Sequence, residues 1–299
     1  MSDDEARRKL LKPKVSSSDV LSILNDFYTE DASSTAEVVR ELDSYDDANF
    51  LVKIGGEMAL LKIHNGVESE QYIKVHASRK RARVENGNSS PSPLSSGSMI
   101  DLHHAIFTHL AKPEYNVTTC KTIPVKNNTP TPNNVVEDED TSVCIRDLSV
   151  TSSEHCPHKL VIRLLTWVHG SPLSATKYCP IETFLDAGMY LGRMCHAFDD
   201  LASSDDMALQ TAKRYFAWDG KNLLDLEPYV RHIDDGDRRN LVTNIIDEFR
   251  KVIVEGKEGE KFRLGINHGD FNDGNIIVAD DGSGMRVAGA IDFGDTVHR

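Results

Sequence analysis

Apolar residues along the chain follow two different spacings, which divide it into a strand-rich first part and a helix-rich second part. Residues 37–63 read as strands, and Gly55–Gly56 marks a hairpin turn between two of them. A further strand-like run covers residues 159–168. After it, apolar residues recur at helical spacing within 181–201 and 237–255, and the first of these predicts a long buried helix. The pattern predicts an α+β fold.

Three segments lack a pattern that could support a packed core. Residues 1–15 are charged and predict a disordered tail before a short amphipathic helix at 19–27. Residues near 78–98 join a basic run to serines and prolines, and residues near 126–158 are rich in proline, asparagine and acidic side chains. Both compositions predict flexible insertions, the second with one short candidate strand at 143–145. We interpret the basic run as a solvated loop, and a nuclear localisation signal is the alternative.

Composition narrows the classes of function. The 299 residues are 39% hydrophobic and 27% charged, enough for one large or two modest domains. A formal net charge of -13 argues against nucleic-acid binding and is compatible with a cationic small substrate. No apolar run suits a membrane span and the N-terminus has no apolar signal region, so we expect a cytoplasmic protein with no membrane partner. Five irregularly spaced cysteines suit reduced thiols.

Two short segments near the C-terminus carry the candidate chemistry. The first is a His-Gly-Asp tripeptide ending at Asp270, followed five residues later by Asn275, and the second is Asp-Phe-Gly beginning at Asp292. Phosphoryl transfer needs a carboxylate at the attacking hydroxyl and oxygen ligands for Mg²⁺. A tight hairpin between the segments would bring Asp292 beside Asn275. We therefore predict Asp270 as the base and Asn275 and Asp292 as Mg²⁺ ligands, while His268 packs under the loop without a chemical role.

With these segments the chain resembles the aminoglycoside phosphotransferase and choline kinase-like group, a branch of the protein-kinase-like fold. The His-Gly-Asp and Asp-Phe-Gly segments carry this resemblance. It implies a tail and helix at 1–34, a β-rich N-lobe at 35–168 and a mostly helical C-lobe at 169–299. It also implies phosphoryl transfer from GTP or ATP, with Mg²⁺, to the hydroxyl group of a small molecule.

The resemblance further implies roles that spacing alone does not establish. Lys62 would contact the nucleotide phosphates, although strand alternation alone would make it a solvent-facing residue. Asp101, at a position where the group usually carries glutamate, would orient Lys62. Ser44 lies in the loop that would cover the phosphates, and backbone groups near Leu165 and Trp167 would face the purine.

Within the group, the narrower resemblance is to enzymes that phosphorylate 5-hydroxy-L-lysine, which makes this amino alcohol the expected acceptor. The residues that carry this narrower resemblance are 44–50, 161–170, 266–278 and 289–295. Two alternatives stay open: a kinase for another amino alcohol, a sugar or an aminoglycoside, and an inactive nucleotide-binding or partner-binding module. Related enzymes continue with further helices beyond the position of Arg299, so we expect a truncated C-lobe. A general protein kinase is disfavoured because only seven residues follow Asp292.

Overall fold

The computed structural model describes residues 3–29, 35–85, 96–126, 134–135, 142–280, 282 and 284–299. Strands dominate the first part, as the pattern predicted. Its helices are α1 (Asp3–Leu10), α2 (Ser17–Phe27), α3 (Gly66–Glu85) and α4 (Met99–Leu110). Its strands are β1 (Ala36–Leu42), β2 (Ala48–Ile54), β3 (Glu57–Ile63), β4 (Thr122–Ile123), β5 (Asn134–Val135), β6 (Cys144–Val150) and β7 (Ser153–Thr166).

The second part is mostly helical and carries the candidate chemistry on short strands. Its helices are α5 (Ile181–Ser204), α6 (Asp206–Ala212) and α7 (Gly236–Phe249), with a 3-10 segment at Gly220–His232 and a π-helical turn at Arg250–Glu255. Its strands are β8 (Ser171–Pro172), β9 (Ile266–Asn267), β10 (Ile276–Asp280), β11 (Met285–Ala290) and β12 (Val297–His298).

An antiparallel sheet in the order β1-β2-β3-β7-β6-β5 forms the first part, and β4 pairs with β7 beside it. On β3, alternation sends Ala59, Leu61 and Ile63 into an apolar core shared with α2. Lys62 therefore points to the opposite face of the sheet. The register places it beside Arg163 of β7, so the two basic side chains share that face.

Tyr190 of α5 links the two parts of the structure. Its hydroxyl donates to the Thr118 carbonyl in the first part and accepts from the Ala290 amide of β11 at 3.0 Å.

The prediction that α5 is buried along its length is wrong, because only one face of the helix packs against the core. Met194 and Phe198 on that face are buried. The apolar residues on its other face are exposed, namely Ile181, Phe184, Leu185 and Met189.

The predicted disordered tail at residues 1–15 instead contains helix α1. Its charged residues have partners that sequence spacing does not reveal. The Arg8 guanidinium lies 2.6 Å from the Asp46 carboxylate, and the Lys12 ammonium donates to the Ser44 carbonyl at 2.6 Å. An ion pair and a hydrogen bond thus hold the segment to the loop between β1 and β2, and Leu11 is buried in the apolar core.

The predicted insertions are also shorter than expected. Helix α3 continues through the basic run to Glu85, and Ser98 is buried as the N-cap of α4. In the second insertion, 144–158 belongs to the β6–β7 hairpin, which buries Leu148 and Leu160. The remaining predicted insertion residues, 86–95, 127–133 and 136–141, lie outside the described residues. No described helix is long and apolar enough to cross a bilayer; the cytoplasmic location stays a prediction.

Replacing Leu61 by alanine should destabilise the sheet core, because its side chain is 0% exposed between the sheet and α2. We expect the free energy of unfolding to fall by about 2–5 kcal/mol in Leu61→Ala, measured by urea denaturation. Val39→Ala is the control, since Val39 is 43% exposed on β1 and should cost less than about 1 kcal/mol. Equal losses in the two variants would contradict this assignment of the core.

Candidate active site

The loop between β9 and β10 holds the Asp270 carboxylate with two side-chain amides. Asn272 Nδ2 donates to Asp270 Oδ1 at 2.7 Å, and Asn275 Nδ2 donates to Asp270 Oδ2 at 2.9 Å. Asn275 Nδ2 also donates to the Asp270 carbonyl at 2.9 Å. Both carboxylate oxygens are therefore fixed in direction. With its nitrogen committed to Asp270, Asn275 has its amide oxygen left to act as a ligand.

His268 supports the loop from below, as the sequence predicted. Its ring is 3% exposed, and Nε2–H donates to the Ile291 carbonyl at 3.0 Å. The Asp270 amide donates to His268 Nδ1 at 3.3 Å, which agrees with that tautomer. Burial lowers the pKa of His268, so the ring is neutral at pH 7. The histidine thus ties the Asp270 loop to the strand that leads to Asp292.

A close backbone approach brings Asp295 into the site. Gly269 has a φ of +86°, and a Cβ at this position would lie 2.1 Å from the Asp295 carbonyl oxygen. Only glycine meets both requirements. Asp295 had no predicted role, although its position three residues after Asp292 could have indicated one.

Three carboxylates converge where the two segments meet. Asp292 is exposed at a φ of +59°, and its Oδ1 accepts from the Gly294 amide at 3.3 Å. Burial raises the pKa of Asp295, and the charges of Asp270 and Asp292 raise it further. A divalent cation would relieve this repulsion, and carboxylate and amide oxygens are ligands that Mg²⁺ prefers. The donor set of Asn275 and Asp292 therefore fits such an ion.

Lys62 lies across from these carboxylates and is ion-paired with Asp47. Burial opposes its charged form, but the nearby charges of Asp47, Asp292 and Glu68 outweigh burial and raise its pKa. The structure thus brings Lys62 and Asp292 close enough for their charges to interact. The Lys62 side chain is 19% exposed, so it is not the solvent-facing residue that strand alternation alone would predict.

Asp101 does not reach Lys62, contrary to the predicted pairing. It occupies the third position of α4, where its Oδ2 accepts from the Ser98 amide at 2.7 Å in a capping box. Its Oδ1 lies 2.8 Å from His76 Nε2 on α3, with Arg79 at 3.7 Å. Helix α3 stands between β3 and α4 in the chain and supplies the partners of Asp101.

Two acidic residues that the sequence analysis missed replace Asp101 beside Lys62. Asp47 ends the loop before β2, and Glu68 lies in the first turn of α3. Counting back from the hairpin turn at Gly55–Gly56 places Asn49 opposite Lys62, with Asp47 two positions before it. That register could have identified Asp47. Burial opposes ionisation of Glu68, but His64, Arg8 and Lys62 hold its pKa well below the ordinary value.

Ligand atoms of Asp47, His64 and Glu68 lie within 4.8 Å of one another, a spacing that also suits a metal ion. Positive charge already compensates this cluster, because Lys62 pairs with Asp47 and Arg163 donates to His64 Nε2 at 3.0 Å. We therefore interpret the cluster as an ionic support for Lys62.

The structure places the three predicted nucleotide contacts differently. Ser44 is half-buried, and its hydroxyl oxygen accepts from the Asp47 amide at 3.3 Å. Leu165 is buried between Leu60 of β3 and Thr122 of β4, so its backbone groups face neighbouring strands and not a purine. Trp167 follows the end of β7 and is half-buried, which leaves its backbone outside the ladder.

The chain is similar to known proteins in sequence. Residues 135–298, more than half of the chain, match the profile of the family described as "Phosphotransferase enzyme family". The chain is similar to hydroxylysine kinase of Danio rerio, with 27% identity over 288 residues that cover 95% of this chain and 66% of the relative. For hydroxylysine kinase of Bos taurus the identity is 23%, covering 98% of this chain and 68% of the relative. The chain spans about two thirds of the length of these two relatives.

Solved structures show a similar fold. A microcompartment-associated aminopropanol kinase aligns with a TM-score of 0.51 and 14% identity, covering 93% of this chain and 69% of that chain. The GDP complex of an aminoglycoside 2'-phosphotransferase aligns with a TM-score of 0.50 and 11% identity, covering 93% of this chain and 72% of that chain. The predicted protein-kinase-like α+β fold is confirmed.

Because its raised pKa reflects an unfavourable folded environment, Asp295 should cost stability when ionised. The folded state binds the proton more tightly than the unfolded state, so the cost appears as pH rises through the folded pKa. We expect Asp295→Asn to be more stable than wild type at pH 7 without divalent cations. The difference should shrink as pH falls toward about 4, the ordinary aspartate value.

The measurement is thermal unfolding at several pH values in the presence of a chelator. Asp43→Asn removes the same charge from an exposed loop position and is the control, for which we expect no such gain at pH 7. An Asp295→Asn variant that is no more stable than wild type at pH 7 would show that the carboxylates do not repel one another as described.

Proposed function

The chain belongs to the phosphotransferase enzyme family, and we propose that it transfers the γ-phosphoryl group of a nucleoside triphosphate to the hydroxyl group of an amino alcohol, with 5-hydroxy-L-lysine as the preferred acceptor. The observation that carries this proposal is the Asp270 carboxylate, which two amides hold in one direction beside Asp292 and Asp295. A carboxylate fixed in this way is suited to orient a hydroxyl and accept its proton.

Transfer joins the acceptor oxygen to the γ-phosphorus while the bond from that phosphorus to the bridging oxygen of the leaving diphosphate breaks. Asp270 receives the hydroxyl proton as the new bond forms. Asn272 and Asn275 keep the carboxylate from rotating, so little reorganisation is needed during the reaction. Asn275 can orient the carboxylate and hold a metal ion at the same time, because the first role uses its amide nitrogen and the second its amide oxygen.

Asn275 and Asp292 would hold Mg²⁺, which neutralises charge on the nucleotide phosphates when it is bound. Lys62 would contribute its ammonium to the same phosphates. Lys62 is paired with Asp47, so phosphate would compete with this carboxylate for the lysine. Glu68 would keep Lys62 charged in either state.

Two features support an amino alcohol as the acceptor. The site gathers the negative charges of Asp270, Asp292 and Asp295, and these would attract the ammonium group of such a substrate. The relatives similar to nearly the whole chain are named hydroxylysine kinases, and one structural neighbour is named an aminopropanol kinase.

For the donor we propose a purine nucleoside triphosphate, GTP first. One structural neighbour is a GDP complex, and the resemblance points to GTP or ATP. Ser44 would line the phosphate end of the nucleotide. Trp167, whose backbone lies outside the sheet, would contact the purine in preference to Leu165.

A second candidate is a nucleotide-binding module without turnover. It is favoured by one observation, namely that Asp47 and not an acidic residue of α4 engages Lys62. Nucleotide binding without turnover of any acceptor under excess Mg²⁺ would support this second candidate.

The direct test is nucleotide turnover by residues 1–299 with Mg²⁺, GTP or ATP, and a panel of acceptors. The panel is 5-hydroxy-L-lysine, L-lysine, an aminopropanol and an aminoglycoside. L-Lysine is the matched control because it lacks only the reacting hydroxyl. We expect turnover with 5-hydroxy-L-lysine and none above background with L-lysine. Turnover equal for the two amino acids would contradict the proposed acceptor.

Replacing Asp270 by asparagine should abolish proton acceptance while keeping the shape of the side chain. We expect kcat to fall by at least about 10²-fold, the scale for a positioned proton acceptor. Asp273→Asn makes the same charge change at an exposed position of the same loop and should keep its kcat within about threefold, since surface substitutions are usually mild. Nearly unchanged turnover in Asp270→Asn would remove the assigned role.

A further inference from the structure

Arg163 is a buried arginine on β7, beside Lys62 in the sheet register and 1% exposed. Its Nε donates to His64 Nε2 at 3.0 Å, and its Nη2 lies 3.2 Å from His103 Nδ1. Its third nitrogen, Nη1, is buried and has no hydrogen-bond partner among the described residues. Two histidine rings, one on each side, therefore hold the guanidinium in place.

The arginine fixes where each histidine carries its proton. A guanidinium can only donate, so His64 Nε2 and His103 Nδ1 must both accept. In a neutral ring the hydrogen then sits on the other nitrogen. His64 Nδ1–H thus donates to Glu68 Oε2 at 3.0 Å, and His103 Nε2–H donates to the Phe293 carbonyl at 3.0 Å. Burial and the charge of Arg163 both lower the pKa of His103, which agrees with a neutral ring.

The hydrogen bond from His103 is one of several contacts that hold Phe293, the residue after Asp292. The Phe293 ring is buried, with edge-to-face contacts to Phe107 and Phe198 at centroid distances of 5.5 and 6.4 Å. Its carbonyl accepts from His103 and also from the Thr296 amide at 3.1 Å. With ring and carbonyl both held, the peptide between Phe293 and Gly294, one residue beyond Asp292, cannot rotate independently.

We propose that His103 is a positioning residue for the segment that carries Asp292, and that Arg163 locks its ring in the tautomer this task requires. His103 sits on α4, so the bond joins this N-lobe helix directly to the metal-binding segment of the C-lobe. The consequence for catalysis rests on the proposed function, in which Asp292 holds the metal ion. Arg163 also fixes the tautomer of His64. The Glu68 carboxylate beside Lys62 therefore accepts a hydrogen bond from His64 Nδ1–H.

A pair of substitutions at His103 separates the two ring nitrogens. The amide of glutamine reaches the position of Nε2, so His103→Gln keeps a donor for the Phe293 carbonyl. The amide of asparagine reaches the position of Nδ1, so His103→Asn keeps an acceptor for Arg163 and loses that donor. The two variants are otherwise alike in charge and polarity, and each serves as the control for the other.

The first readout is hydrogen exchange of the Gly294 and Thr296 amides, measured without nucleotide or acceptor. We expect exchange in His103→Asn to be roughly 5–10-fold faster than in wild type, the scale of one lost hydrogen bond. In His103→Gln we expect a change below about threefold. Unchanged exchange in both variants, or equal acceleration in both with equal loss of thermal stability, would overturn the inference.

The second readout tests the lock itself. In protein labelled with ¹⁵N in its histidine rings, the His103 signal, assigned by its absence in His103→Gln, should show a protonated Nε2 and an unprotonated Nδ1 at pH 7. The opposite tautomer would overturn the role of Arg163.

Neither readout depends on turnover, so the two proposals can fail separately. If wild-type protein phosphorylates no acceptor while His103→Asn shows the expected exchange, the proposed function fails and the positioning role stands. If wild type is active, His103→Asn should need a roughly 5–10-fold higher Mg²⁺ concentration for half-maximal turnover than His103→Gln, following the same lost bond.

Discussion

Burying a guanidinium group in a protein is unfavourable unless charge and hydrogen-bond partners come with it, and Arg163 imposes this constraint on one face of the central sheet. Burial lowers its pKa to about 10, while the carboxylates of Glu68 and Asp47 oppose that effect and keep it protonated. These carboxylates also pair with or surround Lys62. The face that carries Arg163 therefore holds a polar cluster between the apolar side chains of Val161 and Leu165, whereas the opposite face of β3 contributes to the apolar core shared with α2.

The same constraint reaches the catalytic segments through His103 and the Phe293 carbonyl. On the far side, the close approach of Gly269 to the Asp295 carbonyl ties the Asp270 loop to the segment after Asp292. The carboxylates of Asp270, Asp292 and Asp295 consequently lie close enough to repel one another, and a bound cation would reduce this repulsion. This arrangement favours binding of a metal–nucleotide complex, because the bound cation would relieve a repulsion already present in the free protein.

The architecture and the Asp270–Asn275 loop could be predicted because both depend on local sequence: alternation along strands, helical spacing, and a short motif whose members lie five residues apart. The hairpin register could have identified Asp47 as a neighbour of Lys62, but the failure of Asp101 to reach Lys62 could not be predicted, because it depends on how α3 separates β3 from α4. Asp101 is hydrogen-bonded to Ser98, the N-cap of its own helix, and Asp47 pairs with the lysine. The ordering of residues 1–15 was missed for a similar reason, since ion pairs over a long sequence separation leave no periodic signal.

A crystal structure of the protein with Mg²⁺ and a non-hydrolysable GTP analogue would test the metal and nucleotide assignments most directly. We expect the ion to contact the amide oxygen of Asn275 and the carboxylate of Asp292, and Lys62 to leave Asp47 for a phosphate oxygen. Nucleotide bound away from these residues, or a metal ion held instead by Asp47, His64 and Glu68, would contradict these assignments.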